Sequence, residues 1–146
     1  MSYHTWHDYG YGICTDGIES STTVERIETL LSHAPEFRDV IYSWFKVAEI
    51  EEPTVEDFAD YDEDYRHGMA FLLKEVIKEA EGVEFTSCEN FNCERFLIYT
   101  PRYPWEITVK DLSLTKEKIE EILKKYVSIL TDEKIDIEYQ EVENGG

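Results

Sequence analysis

Residues 3–15 read YHTWHDYGYGICT, a run of aromatic and β-branched side chains that suits a pleated strand. Side chains alternate along a strand, so Tyr3, Thr5, His7, Tyr9, Tyr11 and Ile13 share one face. Gly10 and Gly12 fall on the other face, which predicts a bend, a bulge or a closely approaching neighbour. The aromatic stripe is read as core, with an exposed interface as the alternative. Asp16-Gly17 then marks a turn.

Beyond that turn the period changes from two to about 3.6. Thr22 followed by Glu25 has the capping-box pattern and starts a helix near Val24, with Ile27 and Leu31 on its apolar side. His33-Ala34-Pro35 ends it, and Pro35 serves the first turn of the next helix. Phe37, Val40, Ile41, Trp44, Phe45 and Ala48 form the stripe of that second helix, which stops before Pro53. Thr54 caps a short helical turn through Phe58. Met69, Leu72, Leu73, Val76, Ile77 and Ala80 line a third long helix, ended by Gly82.

Two short strands follow, Val83 to Ser87 and Arg95 to Thr100, with Glu89-Asn90-Phe91-Asn92 as the hairpin loop. Pro101 and Pro104 make the next segment irregular. A last helix starts near Thr115 and buries Ile119, Ile122, Leu123, Tyr126, Val127 and Leu130. Ile135, Ile137 and Tyr139 alternate as a final strand, and residues 143–146 are expected to fray. The fold class is therefore α+β in the order β-α-α-α-β-β-α-β, with helices on one face of a small, mostly antiparallel sheet. Residues 1–146 are read as one domain, without internal repeat or linker.

Composition supports an ordered core: 42% of the 146 residues are apolar, and 10 Tyr, 7 Phe and 3 Trp supply rings. Charge is the dominant feature, with 14 basic against 33 acidic side chains and a net of −19. A surface that binds phosphates needs clustered Lys and Arg, so direct nucleic-acid binding is disfavoured, as are anionic membranes. No stretch reaches the roughly 18 consecutive apolar residues of a membrane span. No basic start and apolar run resembling a signal peptide is visible. Three cysteines do not make a secreted disulfide framework, so a reducing cytoplasm is the expected compartment.

The excess negative charge is concentrated. Residues 51–100 carry 4 basic and 14 acidic side chains, over half of the net charge. Glu51, Glu52, Glu56, Asp57, Asp60, Asp62, Glu63 and Asp64 follow one another without a Lys or Arg, and Phe58, Tyr61 and Tyr65 are interleaved. An unmixed acidic block with rings suits a partner surface, because aromatic anchors carry interface energy and complementary charge speeds encounter. Glu56, Asp57, Asp60, Tyr61, Asp62, Glu63, Asp64 and Tyr65 are the candidate contacts. The alternative is a solvated loop whose rings tuck into the core. A calcium loop is disfavoured: Asp60, Asp62 and Asp64 match its first ligands, but Tyr65 stands where Gly is needed and Phe71 where a bidentate Glu is needed.

Other chemistry has thinner support. His4, His7, Cys88 and Cys93 offer two nitrogens and two sulfurs to zinc, yet residues three apart on a regular strand point to opposite faces. No nucleophile elbow, P-loop or dinucleotide motif is present, and Gly10-Tyr11-Gly12 opens no helix. His67 beside Asp64 is read as a surface residue rather than a base, and Tyr103 with Trp105 as a rigid aromatic platform for packing or protein contact. In size, charge and lack of a catalytic motif, the chain is similar to the small acidic anti-restriction and anti-CRISPR inhibitors of phages and mobile elements. That resemblance implies a non-enzymatic protein without a cofactor, whose carboxylates occupy a basic surface of a nuclease or other nucleic-acid-binding partner. The alternatives are a metal-dependent enzyme or zinc-stabilised module using the His and Cys set, and a housekeeping interaction subunit.

Overall fold

The computed structural model describes residues 5–60, 68–90, 92–99 and 116–145. The opening strand, β1 (Thr5–Cys14), lies inside a four-stranded antiparallel sheet with β2 (Thr86–Glu89), β3 (Arg95–Tyr99) and β4 (Glu138–Gly145). The spatial order is β2-β3-β1-β4. Ile13 pairs with Leu97 across β1 and β3, and both side chains enter the main core. The register leaves Phe96 and Ile98 on the opposite face, where they cluster with Cys88 of β2 and Val142 of β4. Residues on the two edge strands thus meet in one cluster, so the sheet curls toward that face.

At Gly12 the backbones of β1 and β3 approach closely. A Cβ on it would lie 2.0 Å from the Leu97 carbonyl oxygen and 2.7 Å from Ile98 Cα. This is the close neighbour that a glycine within a strand predicts.

Helices α1 (Asp16–Ser21), α2 (Val24–Leu31), α3 (Pro35–Val47), α4 (Val55–Ala59), α5 (Met69–Glu81) and α6 (Lys116–Leu130) pack on the Ile13 and Leu97 face. The long elements follow the expected order, and the fold is α+β. Ile27, Leu30 and Leu31 of α2, Leu72, Leu73, Val76 and Ile77 of α5, and Ile122, Leu123 and Tyr126 of α6 build the core. Gly82 ends α5 in the left-handed region at φ 69°, a conformation that costs glycine little.

Several expectations need correction. Asp16-Gly17 is the first turn of α1 rather than a simple turn. Burial of Ile18 holds this helix down, and an Asp16 Oδ1 bond from the Arg95 backbone N–H (3.0 Å) ties it to β3. The N-cap of α2 is Thr23, whose hydroxyl accepts from Arg26 N, and not Thr22, which closes α1. The stripe on α3 is narrower than its periodicity suggests: Ile41 and Phe45 are buried, whereas Val40 is 54% exposed.

The two sequence-read strands after α5 and α6 also shift toward the C-terminus. Pairing in the hairpin begins at Thr86, and Val83 and Phe85 are core residues ahead of it. The last strand starts at Glu138, so Ile135 and Ile137 pack against the core before it. Pairing with β1 then continues from Gly12↔Glu138 to Thr5↔Gly145, and residues 143–145 are strand rather than frayed tail. The donors and acceptors of Thr5–Gly12 require partners, and pairing with β4 supplies them despite the polar character of 138–145.

Candidate functional site

The acidic segment begins where α3 ends. Glu49 takes φ 59°, and the Ile50 N–H returns to the Phe45 carbonyl at 2.9 Å, turning the chain out of the helix. Pro53 and Thr54 then start α4. Thr54 Oγ1 accepts from the Asp57 N–H (3.3 Å), and Asp57 Oδ2 accepts from the Thr54 N–H (2.8 Å). This reciprocal capping box satisfies two otherwise orphaned donors and fixes the helix start.

Phe58 anchors the segment from below. It is 1% exposed and stands edge-on to Phe45, with ring centroids 5.0 Å apart. Its ring therefore belongs to the core and is not offered to a partner. Asp57 is half-buried and engaged in the cap. Glu51, Glu52, Glu56 and Asp60 are exposed around this anchored corner, and Glu49 joins them. A cleft of about 550 Å³ opens beside them, lined by Tyr42, Lys46, Ile50 and Pro53 among others.

Among the described residues, several acidic side chains elsewhere hold a cation, whereas Glu25, Glu36, Asp39 and Asp136 do not; what sets this corner apart is that five exposed carboxylates gather within residues 49–60. Glu19 and Glu89 hold Arg95, Glu81 holds Lys125, Glu84 meets Lys78, and Asp132 meets Arg26. Among the described residues, Glu49, Glu51, Glu52, Glu56 and Asp60 have no such counter-ion. Of the candidate contacts, Glu56 and Asp60 thus share one exposed surface, while Asp57 is committed to the helix cap. Tyr61, Asp62, Glu63, Asp64 and Tyr65 lie outside the described residues, as do His67, Tyr103 and Trp105. Glu49 was not among the expected contacts. Its only sequence signal is its place between the end of an amphipathic helix and Pro53.

Of the zinc candidates, Cys88 and Cys93 have described side chains, in different surroundings. His4 lies outside the described residues, and His7 holds a β1 position opposite Glu143 of β4. Cys88 is buried with Phe96, Ile98 and Val142, whereas Cys93 is exposed in the hairpin loop at φ 62°. The three-donor group found among the described residues is Cys14, Asp16 and Glu94, whose ligand atoms lie within 4.8 Å of one another. It contains neither hairpin cysteine. Burial pushes the Cys14 thiol up, and the Asp16 and Glu94 charges add to this against a backbone hydrogen bond at Asp16. A thiol held protonated is a poor nucleophile and a poor metal ligand.

Among the described residues no helix is long and apolar enough to cross a membrane. No protein-family model, curated protein or solved structure matches the chain. Function is therefore read from the chain's own surface.

Proposed function

We propose that this chain is a non-enzymatic acidic binding protein that occupies a basic surface of a partner protein. Its carboxylates take the positions of nucleic-acid phosphates, and the partner is a nuclease or another nucleic-acid-binding protein. The inhibitor of a phage or mobile element is the biological role that fits this mode of action, and the cytoplasm is its place. The observation that carries the reading is the unpaired acidic corner: Glu49, Glu51, Glu52, Glu56 and Asp60 project from an anchored α3–α4 junction without a described counter-ion. Of the eleven described basic residues, six are held in ion pairs with other carboxylates. An incoming Lys or Arg would therefore gain a charge-assisted contact without breaking an internal one.

The test is capture of partners from a host lysate on the immobilised protein, followed by competition. A basic nucleic-acid-binding protein should be retained at low salt, released at high salt and displaced by duplex DNA or RNA. The variant E51Q/E52Q/E56Q/D60N should keep its fold, since exposed substitutions of this kind change stability by at most about 0.5 kcal/mol each. It should also lose the partner. Retention of the partner by that variant, or failure of nucleic acid to compete, would refute phosphate mimicry at this corner.

A further inference from the structure

A second feature lies elsewhere in the molecule, between α6 and the segment leading into β4. The cavity there has a volume of about 390 Å³, toward the lower end of the roughly 300–1,000 Å³ typical of small-ligand clefts. Ile13 of β1, Val127 of α6, and Ile135 and Ile137 give it apolar walls. Lys124 and Lys134, both exposed, also line it.

Those lysines are the anomaly. In a chain with 33 acidic residues a cation is expected to find a carboxylate. Among the described residues, the cations with neither an ion pair nor an aromatic ring are Lys46, Lys124 and Lys134. Two of these three meet at this one cavity. Asp132 and Glu133 also border it, and neither forms an ion pair with Lys124 or Lys134. Asp132 Oδ2 is held by Arg26 Nη2 at 2.7 Å, and Glu133 Oε2 lies 3.8 Å from where a Cβ on Gly17 of α1 would stand. The Thr131 hydroxyl is already shared with Ser21 Oγ at 2.8 Å and accepts from the Glu133 N–H at 3.1 Å.

We propose that this cavity binds a small amphipathic monocarboxylate. Its apolar body packs against Ile13, Val127, Ile135 and Ile137, and its carboxylate sits at the mouth with Lys124 and Lys134. The volume suits a single ring or a short alkyl chain. A nucleotide would bring several phosphates to two lysines. This site shares no residue with the acidic corner, so each proposal can fail without the other.

Calorimetric titration of the full chain with octanoate and with octanol tests it, because the two probes share an alkyl body and differ in charge. Octanoate should bind saturably at one site and about tenfold more tightly than octanol, the contribution expected of two part-exposed charge contacts. In K124Q/K134Q, octanoate affinity should fall to that of octanol while octanol binding stays unchanged. Methyl resonances of Ile13, Val127, Ile135 and Ile137 should shift on octanoate addition. The proposal is overturned by absence of saturable octanoate binding up to about 10 mM, by equal affinity for the alcohol, by indifference to the lysine changes, or by shifts confined to other methyl groups.

Discussion

At Gly12, a hydrogen in place of a methyl group is what lets β1 and β3 meet. G12A places a Cβ 2.0 Å from a backbone oxygen that cannot step aside, and should lower stability by about 3 kcal/mol in urea unfolding. G17A is the control: its nearest neighbour is a side-chain oxygen at 3.8 Å, and alanine in helix α1 should raise stability by up to about 1 kcal/mol. Equal effects at the two sites would remove close approach as the reason for Gly12. Two tyrosines offer a second test at this scale. Tyr126 donates to Glu81, and burial first, then that bond, pushes its phenol up to about 12. Tyr11 reaches about 12 chiefly through its hydrogen bond to Glu120. A raised phenol favours the folded state fully below the unfolded value of 10.0 and loses that contribution as pH climbs toward about 12. Phenolate absorbance should therefore show Tyr11 and Tyr126 among the late-titrating tyrosines, with Tyr42 also raised by its burial and by Glu28. E120A should return Tyr11 most of the way toward 10.0, whereas E81A should move Tyr126 only part of the way.

At the scale of elements, α4 is five residues long, too short to persist unaided, and depends on its cap and on Phe58. T54A should cost about 1 kcal/mol, and T54S should restore most of it. F58A should cost about 3–5 kcal/mol, far more than any change among the exposed carboxylates around it. If thermal unfolding instead ranks F58A with the surface variants, the ring does not anchor the acidic corner. Thr54 as the cap was readable from its place ahead of a short helical turn, because capping is a contact between near neighbours, whereas the reciprocal bond from Asp57 came with the structure. The limits of α1 and β4 were not readable. Ile18 is held by core residues distant in sequence, and Glu138–Gly145 is strand because β1 lies beside it. On α3 periodicity marked Val40 as core, but α3 turns only its Ile41 and Phe45 side inward.

For the whole molecule, a net charge of −19 acts in two opposite ways. Self-repulsion weakens the folded state, and salt screens it over a distance of about 10 Å at 0.1 M. The melting temperature should therefore rise with added sodium chloride over the same range in which partner binding falls. A chain whose stability and partner affinity both fall with salt would not have the charge balance described here.

Local physics was enough to settle much of this protein. Two-residue alternation and helical periodicity depend on neighbours along the chain, so the strand at Thr5–Cys14, the α5 and α6 stripes, the order of the long elements and the acidic block could be read directly. Which acids lack a counter-ion could not, because Arg95 reaches Glu19 and Lys125 reaches Glu81 across many residues of chain. Nor could the burial of Phe58, the burial of Cys88 against Phe96, Ile98 and Val142, or the cavity lined by Lys124 and Lys134. Each depends on which surfaces meet after folding, and tertiary packing alone decides that.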